Sequence, residues 1–318
     1  MSYTGPGFEP TPPRRRHRPL TVALAALVPG ALLGWLVYET TASDGGDPQR
    51  AAASSSPAAT PGAKTRAASP APGDEASGPD DATPSPSATA ANPSGPLAGK
   101  VVVIDPGHNA GNFRHTTEIS RKVDIGTARK ECDTTGTSTD SGYTEATFTL
   151  DVAHRLRTLL QQQGATVKLT HDGDRPYGPC IDERARIGNQ AKADAVVSIH
   201  ADGSGTGNRG FHVILPKAVH AGAADTRPIV DSSRDLGERV AGNFVRATGS
   251  APSNYVGDGT GLVTREDLGG LNLSTVPKVF IECGNMRDSK DAALLTSGAW
   301  RQKAARGISE GIVSFLRG

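Results

Sequence analysis

Three short stretches end in residues able to do acid, base or metal chemistry. "VVVIDPGH" closes on His108, "VVSIHAD" carries His200, and "VFIECGN" carries Glu282. In each, an apolar run rich in β-branched residues stops at a polar, turn-forming segment. Such runs suit buried strands. Open α/β sheets place their chemistry just beyond the carboxyl ends of such strands. A single histidine there would be no more than a surface or core residue. The same context three times, on strands able to lie side by side, sets two imidazoles and a carboxylate around one crevice.

Two histidines and a carboxylate at an open edge suit a catalytic zinc, which takes three protein ligands and keeps a position for water. Hydrolysis also needs a general base, hence a second carboxylate. Glu145 in "YTEATFTLDVAHRL" starts a helical period, so its carboxylate can face the same edge. A glutamate in a first turn otherwise only complements the helix dipole. The residues alone leave open which carboxylate binds metal and which moves protons. Cys283 adjoins Glu282, but neighbours in a strand point to opposite faces, so it reads as core. Asp105 and Asp202 are candidates for orienting the site from behind. His115, His171, His212 and His220 read as bystanders. "GDGTG" (257–261) lacks the Lys-Ser or Lys-Thr of a phosphate loop.

Alternating elements must position these groups. "KVVVID", "ATVKLT", "DAVVSIHAD", "GFHVILP" and "PKVFIEC" read as strands. "EATFTLDVAHRLRTLLQQQG" repeats Phe148, Val152, Leu156, Leu159 and Leu160 on one face and stops at Gly164, as a helix does. "CIDERARIGNQAKA" reads as a second helix. "SSRDLGERVAGNFVRATG" places Leu236, Val240 and Phe244 in register, and "GAWRQKAARGISEGIVSFLRG" does so with Ala304, Ile308, Ile312 and Phe315. The pattern predicts an α/β fold: a three-layer, mixed but largely parallel sheet with helices on both faces.

These motifs, "VVVIDPGHNAGN", "YTEATFTLDVAHRL", "AVVSIHAD" and "PKVFIECGNMRDSKDAALL", occur in one order over residues 100–318. In that combination the chain resembles the zinc-dependent N-acetylmuramoyl-L-alanine amidases of the amidase-3 family. The resemblance implies zinc held by His108, Glu145 and His200, with Glu282 as catalytic acid/base. It implies hydrolysis of the amide between the lactyl group of N-acetylmuramic acid and the L-alanine of the stem peptide, with peptidoglycan or muropeptides as substrate. A zinc peptidase acting on wall peptides and an inactive wall-binding module are the alternatives. One departure from the simplest family pattern is an insertion over residues 113–143. Loops of that length are usually functional or disordered; this one could cover the cleft, regulate access or hold the stem peptide.

Of three cysteines, Cys132 and Cys180 lie in polar, turn-rich contexts, "KECDTTG" and "PYGPCIDE", whereas Cys283 sits in an apolar run. In an exported protein the first two are expected to pair. Closing a loop of about 48 residues stabilises by roughly 4 kcal/mol in the chain-entropy model.

The rest of the chain says where this domain works. Residues 1–18 form a basic tail and 19–38 an uncharged, mostly apolar run about long enough to span a bilayer. Arginines on its amino side keep the N-terminus cytoplasmic. The run reads as a signal anchor, with a cleaved signal peptide as the alternative. Residues 39–96, almost all Ala, Ser, Pro, Gly, Thr and Asp, cannot bury enough surface to offset chain entropy and read as a disordered linker. The catalytic domain is then 97–318, extracytoplasmic, and either membrane-anchored or secreted to the cell wall. Lys and Arg total 34 against 33 Asp and Glu, with no basic stripe in the C-terminal region, which argues against nucleic acid. The expected state is a monomer.

Overall fold

The computed structural model describes residues 94–318. The basic tail, the apolar run and the linker up to residue 93 lie outside the described residues. Among the described residues no helix is long and apolar enough to cross a membrane.

In chain order the principal elements are β1 (Val101–Pro106), β2 (Lys122–Asp124), β3 (Arg129–Glu131), α1 (Glu145–Gln162), β4 (Thr166–Leu169), α2 (Ile181–Gln190), β5 (Ala195–Asp202), β6 (His212–Pro216), α3 (Val230–Thr248), β7 (Leu262–Arg265), β8 (Lys278–Asn285), α4 (Ser289–Leu295) and α5 (Gly298–Leu316). The central sheet runs β4–β1–β5–β8–β6–β7. Its first four strands are mutually parallel. Strand β6 is antiparallel to β8, and β7 is parallel to β6. The carboxyl ends of β1, β5 and β8 therefore share one edge.

Side-chain alternation divides the work of these strands. Val102 and Ile104, Val197 and Ile199, and Val279, Ile281 and Cys283 enter the main core with Phe148, Leu156, Leu236, Phe244, Ile308 and Ile312 of α1, α3 and α5. Burying each large apolar side chain there stabilises by about 1.5–3 kcal/mol. The alternate residues face the other way. Val103 and Val196 pack with Ala193 and Ile187 under α2. Nearer the site, that second face turns polar: Asp105 on β1, Ser198 and His200 on β5, Lys278 and Glu282 on β8. Cys283 is buried on the opposite face from Glu282 and is unpaired.

The insertion is folded. Thr116–Ile119 makes one helical turn, and β2 and β3 pair as an antiparallel hairpin. Cys132 and Cys180 form a disulfide. Their sequence contexts are polar, yet the bridge is buried in a small apolar cluster with Val123, Ile125 and Ile181. Besides the hairpin strands β2 and β3, the edge strand β7 and the short helix α4 lie outside the sequence expectation; α4 is started by Asp288, whose side chain accepts from the Lys290 and Asp291 amides.

Candidate metal centre

Each side chain of the site is aimed by a local device. Thr144 caps α1, its hydroxyl accepting from Thr147 N at 3.3 Å, so Glu145 is the first helical residue. That position turns its carboxylate back over the sheet edge. There Oε1 accepts from Ala201 N at 3.1 Å and Oε2 from Thr137 N at 3.0 Å. His200 stands on β5 with its ring stacked on Phe280 of β8, centroids 5.1 Å apart. His108 leaves β1 with φ +62°, a left-handed conformation rare outside glycine and a mark of functional sites. Gly107 lies so close beneath the His200 ring that any side chain there would collide with it.

The three groups converge. His108 Nε2 lies 3.2 Å from Glu145 Oε2, and His200 Nδ1 lies 3.0 Å from Glu145 Oε1. The three ligand atoms lie within 4.8 Å of one another. Tetrahedral ligands about 2 Å from one zinc stand roughly 3.3 Å apart, so the spacing fits. Burial pushes the His108 imidazole down, but Glu145 and Asp133 more than offset it and raise it to about 10. Burial pushes Glu145 up, and the two histidines outweigh that and hold it well below the usual carboxylate range. The cluster thus favours positive charge at its centre, as a cation site should.

Glu282 stands apart from the three. The residue is half-buried, and its Oε2 is buried with no hydrogen-bond partner among the described residues. Burial, then the Glu145 and Asp202 carboxylates, push it well above the usual range. Glu282 shares the wall of a cavity of about 330 Å³ with His108, Glu145 and His200. A second cavity of about 420 Å³ opens beside it, shares Thr134, Arg265, Leu268 and Phe280, and extends to Lys122, Lys130 and Glu131 of the hairpin. The insertion therefore forms part of the cleft wall.

The other named residues sort by contact. Asp105 hydrogen-bonds neither His108 nor His200. It is fully buried and takes Arg184, Lys278, Ser198 and Thr170 on its two oxygens. Asp202 accepts from the Tyr255 hydroxyl at 2.6 Å. His115 pairs with Glu118, His171 bonds the Pro106 carbonyl, and His220 lies beside Asp225. His212 is closer to the chemistry than its sequence context suggests: it is the cross-strand partner of Glu282. Burial lowers its pKa to about 4, and Nδ1 is unpartnered among the described residues. Asp133, Arg184 and Thr134, absent from the sequence candidates, surround His108. Their signal was only proximity in sequence to the two cysteines.

Comparison with known proteins agrees with this geometry. Residues 102–314 match the family model described as N-acetylmuramoyl-L-alanine amidase. An N-acetylmuramoyl-L-alanine amidase of Mycobacterium tuberculosis is 41% identical over 236 residues, spanning 74% of this chain and 93% of that protein. The crystal structure of the amidase Ami1 from Mycobacterium smegmatis superposes with a TM-score of 0.63 at 38% identity, covering 70% of this chain and 99% of that one. The apo form of Ami1 from Mycobacterium abscessus gives 0.62 at 41% identity, covering 69% and 100%. The chain belongs to the amidase-3 family of N-acetylmuramoyl-L-alanine amidases, hydrolases of cell-wall peptidoglycan.

Proposed function

We propose that this domain hydrolyses the amide between the lactyl group of N-acetylmuramic acid and the L-alanine of the stem peptide, with zinc held by His108, Glu145 and His200 and with Glu282 as proton shuttle. One observation carries the assignment. Glu145 spends both oxygens on the two histidines and two backbone amides, whereas Glu282 keeps a buried oxygen without a partner.

When bound, zinc would polarise the scissile carbonyl and lower the pKa of a water toward about 7. The chain's own residues do the rest. Thr134 O, 3.1 Å from His108 Nδ1, can only accept, so Nδ1 keeps its hydrogen and Nε2, beside Glu145, is the nitrogen that would give up its proton to face the cation. Glu282 takes the proton of the attacking water and delivers it to the leaving alanine nitrogen. Its buried setting raises its proton affinity, which suits a group that must hold a proton between two transfers. Phe280 and Leu268 line the same cavity and limit water around the reacting carbonyl.

A peptidoglycan substrate puts this domain outside the cytoplasm. We place residues 19–38 in the membrane as an anchor and 39–96 as a tether, whose root-mean-square reach of roughly 40 Å suits a monomer working near the membrane. Digestion of purified peptidoglycan tests the assignment. Free lactyl groups with intact stem peptides are expected, alongside about one zinc per chain that His200→Ala loses. Cut stem peptides would identify a peptidase, and wall binding without products an inactive module.

A further inference from the structure

Behind His108, on the side away from Glu145, sits an arginine with every donor matched. Arg184 of α2 is buried, its side chain 5% exposed. A guanidinium has five N–H donors in a fixed fork. Here Nε donates to Pro179 O at 2.8 Å, Nη1 to Asp105 Oδ1 at 2.9 Å and to Pro106 O at 2.6 Å. Nη2 donates to His108 O at 3.0 Å and to Asp133 Oδ2 at 2.9 Å. Three of the five acceptors lie on Asp105–His108, the end of β1 and the two residues after it. That segment carries the left-handed His108, a conformation that needs support from its surroundings.

Asp133 completes the bridge. While Oδ2 takes Arg184, Oδ1 lies 3.3 Å from His108 Nδ1 and accepts from Thr134 N at 2.8 Å. The guanidinium thus fixes the backbone of His108, and through Asp133 it fixes the ring. Both supports are tied to the disulfide. Asp133 directly follows Cys132. Arg184 donates its backbone N–H to the Cys180 carbonyl at 2.9 Å, and Ile181 N donates to Cys132 O at 2.7 Å. The bridge therefore joins the strand end that carries Asp133 to the helix start that carries Arg184, 51 residues apart.

We infer that Arg184 and Asp133 are positioning residues for His108, and that the Cys132–Cys180 disulfide acts through them, so that the affinity of the centre for zinc depends on the bridge. This rests on the metal assignment above. Partners behind a metal-binding histidine typically contribute 10–100-fold to affinity.

Zinc affinity of the full chain, measured by chelator competition, tests the inference, with the melting temperature of each metal-free protein as a control for folding. Asp133→Ala should weaken zinc binding 10–100-fold. Asp133→Asn, which keeps an oxygen beside Nδ1 but not the charge, should recover part of that loss. Arg184→Lys keeps the charge but not the fork and should also weaken binding. Replacing Cys132 and Cys180 by serine should weaken zinc binding alone, yet add little on the Asp133→Ala background, because both changes release the same support. Affinities within twofold of the parent, or fully additive losses, would overturn the inference. If the serine pair does not fold, the Asp133→Ala, Asp133→Asn and Arg184→Lys affinities decide it. A parent that binds no zinc would instead overturn the metal assignment itself.

Discussion

At the scale of single residues the site depends on close approach. Gly136 has φ +73°, and a Cβ there would stand 2.8 Å from both Glu145 Oε2 and the His108 ring. Gly136→Ala therefore meets two obstacles: about 1–2 kcal/mol of left-handed strain and displacement of the Glu145 oxygen beside the His108 ring. The expected outcome is a folded domain with a modestly lower melting temperature and clearly weaker zinc binding. Unchanged zinc affinity would show that this loop yields without disturbing the centre. The strand-end residues were legible because β-branched runs advertise buried strands and the polar stop after each marks its end. Asp133 and Arg184 were not. Their roles arise only when a turn, an insertion and a helix start meet in space, and neither context, "ECDTT" or "DERAR", carries a periodic signal.

At the scale of elements, helix α1 has two tasks. Its apolar face fixes it on the sheet, and its capped first turn presents Glu145. Leu156 is fully buried in the core and lies three turns from the site. Leu156→Ala should cost about 2–5 kcal/mol of stability, read as a fall in the denaturation midpoint. At temperatures where the variant remains folded its zinc content should match the parent. Loss of zinc there would mean that α1 does not hold Glu145 as an independent rigid lever. The long helices and central strands were legible from their periods. Strand β7, only four residues long, was not, nor was the reversed direction of β6, since strand direction is set by connections and not by composition. The disulfide pairing was legible from context, but its burial against Val123 and Ile125 was not.

At the scale of the whole domain, one buried charge network links three elements of the sheet and the site. Burial pushes Asp105 up, but Lys278, Arg184, Ser198 and Thr170 outweigh that and hold it well below the usual carboxylate range. A carboxylate with a depressed folded pKa stabilises fully above its unfolded value of about 3.9 and loses that contribution as pH falls toward the folded value. The unfolded chain then binds the extra proton, so stability should begin to fall below about pH 5 and keep falling to the most acidic conditions. The slope from one such group approaches about 1.4 kcal/mol per pH unit. Denaturation midpoints between pH 2 and 7 should show this decline. Asp105→Asn should be less stable at neutral pH and flatter in acid, and equal slopes would remove Asp105 as the source.

The central claim is that the metal-facing triad binds while Glu282 moves protons, and one substitution separates the two. Glu282→Gln keeps shape and hydrogen-bonding capacity but removes the base. Zinc content and turnover of purified peptidoglycan should be measured on the same preparation. The account predicts about one zinc per chain and turnover reduced ~10²–10⁴-fold. A variant that loses its zinc, or one that keeps most of its turnover, would contradict it.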